Sequence, residues 1–125
     1  MKENDVSYQI RGAIFDVYNK LGPGLLESVY EKALTYELRK RGVRVDTQVG
    51  VPLVYDNELL DAQLRLDLLV ENCVIIELKS VEEIKNVFYK QILTYLRLTN
   101  KKLGILVNFN TDNISTSIHR VVNNL

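Results

Sequence analysis

A chain of 125 residues is one domain's worth of sequence, expected to form a single unit over residues 1–125. Its 46% apolar and 26% charged residues exclude disorder and fibrous repeats, and a chain of this size can bury a core without staples. Sixteen basic side chains balance sixteen acidic ones, so no argument for a generic nucleic-acid or membrane binder can start from total charge; such a role needs a local patch.

In chain order, Met1–Asp5 lacks the apolar core of a signal peptide, and no apolar run is long enough to span a bilayer. The expectation is a cytoplasmic protein with no membrane partner. Val6, Ile10, Ala13, Ile14, Val17, Tyr18 and Leu21 fall at helical spacing, and Gly22-Pro23-Gly24 ends that helix. A second helix is expected from about Leu25 to Arg41, with Leu26, Tyr30, Ala33, Leu34 and Leu38 inward. Gly42 supplies a left-handed stop after Arg39-Lys40-Arg41, whose charges suit a helix C-terminus. The short connection predicts antiparallel packing of the two helices.

Beyond Gly42 the period becomes two. Val43, Val45, Val49, Val51 and Leu53 alternate with polar or turn residues, and Leu60 to Val70 alternates on the return, about an Asp56-Asn57 turn. A two-residue loop pairs Leu53 with Leu60, Val51 with Ala62 and Val49 with Leu64, apolar against apolar throughout. A third strand over Cys73–Leu78, a helix over Val81–Leu98 and an apolar, interior strand over Leu103–Phe109 follow. The tail from Ile114 to Val122 fits a short strand or a short helix. The fold class is α/β (α+β), a mixed central sheet flanked by helices.

Asp67, Glu77 and Lys79 interrupt otherwise hydrophobic strands. A two-residue connection at Glu71-Asn72 would split these charges between both faces of the sheet. A three-residue connection, Glu71-Asn72-Cys73, sets Asp67 opposite Glu77 and leaves Leu66, Leu68, Val70, Val74, Ile76 and Leu78 as one apolar face. Desolvation favours the second. Asp46 and Gln48 then join the polar face, and Lys79 shares it with Glu77, two positions away. Opposed carboxylates repel, which a divalent cation such as Mg2+ relieves through its preference for oxygen ligands. The competing reading is an ion pair between Lys79 and Glu77, with Asp67 turned to solvent.

Asp67 followed by Glu77-Leu78-Lys79 resembles the D…(D/E)xK signature of the PD-(D/E)XK nuclease superfamily, and the element order is similar to its restriction-endonuclease-like αβββαβ core. Gly24-Leu-Leu-Glu27-Ser-Val-Tyr30 resembles the motif of the mostly bacterial GxxExxY family within it, and the likeness runs from about Gly22 to Phe109. This resemblance implies that Asp67 and Glu77 ligate Mg2+ or Mn2+, and that Glu27 is the extra acidic ligand from the first core helix. Lys79 would position the attacking water or stabilise the pentavalent phosphate. As a residue in its own right, Glu27 also suits a helix N-terminus by about 0.3–1 kcal/mol.

Gln91 falls where the helical stripe Ile84, Val87/Phe88, Tyr95, Leu98 calls for an apolar residue. A buried amide there either caps a backbone group or, as the resemblance implies, serves catalysis beside Lys79, with Tyr95 one turn later as its partner. Relatives often carry a His just before this segment, where the chain has Phe88 or Tyr89. Position 66 is Leu rather than Pro. Cys73 excludes an internal disulfide and a structural zinc site, and with His119 distant it is assigned no role.

Two functions follow. One is a Mg2+- or Mn2+-dependent nuclease cleaving phosphodiesters of DNA, or RNA, with a homodimer supplying two sites for two strands. The other is a nuclease-fold accessory module with a protein or nucleic-acid partner, which the scatter of basic residues into apparent helix ends favours.

Overall fold

The computed structural model describes residues 2–125. Helix α1 spans Lys2–Leu21 and α2 spans Glu27–Lys40. Strands β1 (Val45–Tyr55), β2 (Glu58–Val70) and β3 (Val74–Lys79) follow, then α3 (Asn86–Thr99), β4 (Leu103–Asn108), a 3-10 turn at Ile114–Thr116 and β5 (Ile118–Val122). The five strands form one mixed sheet in the order β1-β2-β3-β4-β5, parallel only between β3 and β4, which α3 connects. Of the two readings of the tail, the strand is the longer element.

Two apolar cores sandwich the sheet. On one face Ile10, Ile14, Tyr30, Leu34 and Leu38 of α1 and α2 pack on Leu68, Val70, Val74, Ile76 and Leu78. On the other, Ile92, Tyr95 and Leu96 of α3 pack on Leu69, Ile75 and Leu106. The first two helices are antiparallel, as expected: Lys20 pairs with Glu37 at 3.3 Å, while Asp16, earlier in α1, pairs with Arg41, just past the end of α2, at 3.0 Å. Helix α2 begins at Glu27, not Leu25, because Leu26 is extended at the N-cap position. That turns Leu26 outward, 74% exposed, against the inward position its spacing predicts.

The loop between α1 and α2 is held from within the core. Gly22 and Gly24 take positive φ values of 68° and 98°, which side chains disfavour. Buried Tyr30 donates to Gly22 O at 2.6 Å and accepts from Leu25 N at 3.1 Å. Its ring stacks on Phe109 with centroids 4.4 Å apart, so the β4 end is tied to the same loop.

The β1–β2 hairpin turns at Asp56-Asn57, both left-handed as a two-residue turn of this kind demands, and Leu53 pairs with Leu60. The predicted register then fails. Val51 pairs with Leu64 and Val49 with Leu66, because β2 bulges around Gln63, whose φ is +51°. The slip is two residues, so it leaves side-chain alternation intact.

A second irregularity does change the faces. Gln48 is left-handed, at φ +50°, where the paired ribbon passes Asp67. Pairing keeps step on both sides, Thr47 with Leu68 and Val49 with Leu66. Yet Val45, Leu68 and Val70 pack toward α1 and α2, while Val49, Val51, Leu64 and Leu66 pack toward α3. The ribbon therefore turns over at Gln48 and Asp67, and Leu66 leaves the apolar face that strict alternation assigns it.

The three-residue connection Glu71-Asn72-Cys73 is as predicted, with Val70 paired to Val74 across it. Helix α3 starts at Asn86 rather than Val81. The Asn108 side chain engages both backbone groups of Val81, accepting from its N–H at 3.1 Å and donating to its carbonyl at 2.9 Å, which holds that segment out of the helix. Every residue of β4 is buried, as an interior strand requires.

Tyr30→Phe keeps the stack on Phe109 but leaves the Leu25 N–H and the Gly22 carbonyl without their buried partner. It should lower stability by about 1–3 kcal/mol, read as a lower urea midpoint with an unchanged m-value; an unaltered midpoint would show that the loop does not depend on this hydroxyl.

Candidate active site

The ladder between β2 and β3 runs from Val70–Val74 to Leu68–Ile76 and stops. The next residues along, Asp67 and Glu77, continue it with their side chains. Leu78 N–H donates to Asp67 Oδ2 at 2.8 Å, and Asp67 N–H donates to Glu77 Oε1 at 3.3 Å. Each carboxylate thus occupies the place of a strand carbonyl, in the gap opened where the ribbon turns over. The two acids that sequence spacing set opposite each other do meet, Glu77 accepting from the backbone of Asp67 and Asp67 from the residue after Glu77.

Glu77 is only 6% exposed. Burial, reinforced by the neighbouring Asp67 carboxylate, pushes its carboxyl up to about 9, with Lys79 pulling the other way. Tyr95 of α3 faces the same acids: burial and then the charge of Glu77 raise its hydroxyl. The Tyr95 hydroxyl accepts from Gln91 Nε2 at 3.3 Å. Gln91 is nonetheless exposed, not buried as the stripe suggests, because Ile92, Tyr95 and Leu96 form the inward face of α3 and Gln91 falls at its border.

Lys79 shares the α3 face of β3 with Glu77 but does not neutralise it. Its Nζ sits 4.5 Å from the centroid of the Phe88 ring, and no ion pair of the described residues involves it. The Phe88 ring is therefore the seat of the ammonium group.

Glu27 reaches the site from the first turn of α2. Its Oε2 accepts from Ser80 N–H at 3.2 Å, immediately after Lys79, and Ser80 Oγ donates to Leu25 O at 2.6 Å. A cavity of about 320 Å3 brings Glu27, Glu31, Gln48 and Asp67 together. Glu77 is not part of its lining, and among the described residues no three His, Cys, Asp or Glu side chains converge as a ready-made metal cluster. Gln48 Nε2 donates to Glu31 Oε1 at 2.6 Å, whereas Asp46, expected on the same polar face, pairs with Arg44 at 3.2 Å.

Sequence reasoning missed Asn108. Besides holding Val81, it accepts from Asn110 N–H at 3.2 Å, and the adjacent Phe109 N–H donates to Lys79 O at 2.9 Å. It fixes the chain just beyond the lysine. The signal was present, since Asn108 is the one polar side chain in an otherwise apolar strand.

The native state holds a proton on Glu77 that an unfolded chain would release above its ordinary carboxyl range, 4.5. That contribution to stability is fully present below pH 4.5 and is lost as pH rises to about 9. In EDTA, the thermal midpoint should fall across this window and Glu77→Gln should flatten the fall. Parallel pH profiles for the two proteins would refute the assignment.

Two facing acids and a lysine at a split between strands of a mixed sheet, with three helices around it, have the layout of a restriction-endonuclease-like core. A family model described as the PD-(D/E)XK nuclease superfamily matches residues 4–121. No curated protein and no solved structure matches the chain. No helix of the described residues is long and apolar enough to cross a membrane. With the acid–acid–lysine set in place and nearly the whole chain matched, the protein belongs to the PD-(D/E)XK nuclease superfamily.

Proposed function

We propose that this protein is a divalent-metal-dependent phosphodiester hydrolase of the GxxExxY group, acting on DNA or RNA in the cytoplasm. The observation that carries the reading is the pairing of Asp67 with Glu77 while Lys79 stays off both. Gly24, Glu27 and Tyr30 each have a physical task in the α1–α2 loop and at Ser80, which supports the motif as a unit.

The donor set fits a hard cation. Two carboxylates in contact, one of them buried and holding a proton, are an arrangement that Mg2+ or Mn2+ stabilises by replacing that proton. Asp67 and Glu77 would hold it, with Glu27 as the further acid at the cavity wall. A divalent ion there supplies Lewis-acid polarisation of a phosphodiester and acidifies water.

The remaining work falls to the protein. Lys79, a compact charge steadied by Phe88, donates hydrogen bonds to a non-bridging phosphate oxygen and offsets the charge that builds as water attacks phosphorus and the leaving oxygen departs. Asn108 and the Phe109–Lys79 backbone bond keep its strand end in place. The Gln91–Tyr95 pair flanks the acids and orients water on the α3 side.

Plasmid and oligonucleotide cleavage with Mg2+ or Mn2+ tests this. Lys79→Ala should cut the rate about 100-fold or more, and Asp67→Asn should abolish calorimetric binding of the metal. Equal residual cleavage by wild type and Lys79→Ala would mark a contaminant and defeat the assignment. Metal binding without cleavage of any substrate would support the accessory-module reading instead.

A further inference from the structure

A second cavity borders the one beside Asp67. It measures about 430 Å3, lies between the outer face of α2 and β1, and has Glu31 in common with the first. The rest of its lining is Lys32, Thr35, Tyr36, Arg39 and Thr47, none of which the proposed chemistry uses.

Its surface is equipped for a ligand. Tyr36 is 65% exposed, an aromatic ring with no core to fill, and Lys40 Nζ lies 5.5 Å from its centroid. Lys32 and Tyr36 are one helical turn apart, and Arg39 continues the row. The three basic residues at the end of α2, read from sequence as a solvated terminus, in fact diverge. Arg41 binds Gln9 and Asp16, Lys40 binds Glu37, and Arg39 turns to β1, donating to Val45 O at 2.8 Å. That bond uses one of the several donors an arginine carries. Thr35 Oγ1, in the same lining, is the one buried side-chain polar atom of the described residues without a hydrogen-bond partner. The carboxylate at the junction, Glu31, is engaged by Gln48.

We infer that this α2–β1 groove is a track for single-stranded nucleic acid, with Tyr36 stacking an unpaired base and Lys32 and Arg39 contacting the phosphates that lead toward Asp67. Exposed aromatic and cationic side chains side by side suit a strand whose bases are free, since a duplex hides the base faces. Two cations without an acidic partner among the described residues, Lys32 and Arg39, on a chain of zero net charge also suit a few phosphates of one strand better than a duplex backbone. The direction toward Asp67 rests on the nuclease reading; the track itself does not.

Fluorescence anisotropy with labelled 20-mers of oligo(dT) and oligo(rU) and with a 20-base-pair duplex, in EDTA and with Ca2+, tests binding apart from turnover. Single strands should bind more tightly than the duplex, and the better of the two oligonucleotides identifies DNA or RNA. Tyr36→Ala should weaken that binding about tenfold, with Tyr36→Phe retaining it. Replacing both Lys32 and Arg39 by Gln should reduce the slope of log K against log salt by about 1.4. Tyr8→Ala, an exposed tyrosine on α1, serves as the unaffected control, and thermal melts verify that each variant is folded. Failure to bind single strands, a duplex bound as tightly, or a Tyr36→Ala affinity equal to wild type would overturn the track. Tyr36-dependent binding without cleavage under any metal would refute the nuclease reading and leave the track standing; cleavage indifferent to Tyr36 would do the reverse.

Discussion

The exchange of hydrogen bonds between Asp67 and β3 is the constraint on which the site depends. A strand pair that continued past Leu68 and Ile76 would use backbone carbonyls and leave the two acids as side chains on a sheet face, free to diverge. Because the ribbon turns over at Gln48 and Asp67, the carbonyls are carried away, and the carboxylates fill their places. Repulsion between them is met by protonation of Glu77, which burial favours in any case. The same half-turn lets the outer hairpin close over α3, so one backbone irregularity builds part of the second core and opens the site.

The Gly24, Glu27 and Tyr30 spacing owes much to mechanics. Glycine permits the positive φ that leads into α2, glutamate at the helix start catches Ser80 N–H, and tyrosine one turn on buries its ring while its hydroxyl binds the loop just traversed. Stacked on Phe109, that ring links the entry of α2 to the end of β4, whose Asn108 and Phe109 in turn hold the residues around Lys79. A motif recognised by its charged member is thus, for the most part, a brace behind the charged member. The lysine itself rests on an aromatic face rather than on an acid, and a cation so placed does not spend its hydrogen-bond donors on Asp67 or Glu77.

Most of the secondary structure was legible because its signals are local. Helical spacing in α1, the Asp56-Asn57 turn and the choice between two and three residues at Glu71–Cys73 each follow from neighbours in sequence and the cost of burying charge. The errors share a different origin. The Gln63 bulge, the turnover at Gln48 and the late start of α3 are backbone departures imposed by partners remote in the chain: β1 on β2, and Asn108 on Val81. Gln91 and Leu26 were misplaced for a related reason, since a helix's inward arc depends on how it is seated and where it begins.

The sequence by itself determined which charged groups break the apolar strands, because Asp67, Glu77 and Lys79 are costly there and their spacing, once the connection has three residues, brings the acids opposite each other. Only the tertiary structure decided how they are held. Alternation along a strand assumes a continuous pleat, and the pleat breaks at Asp67; the acids consequently lie in the seam between strands, Lys79 lies on Phe88, and the groove past Glu31 runs between a helix and a strand. None of these relations is a property of one segment, so no local pattern encodes them.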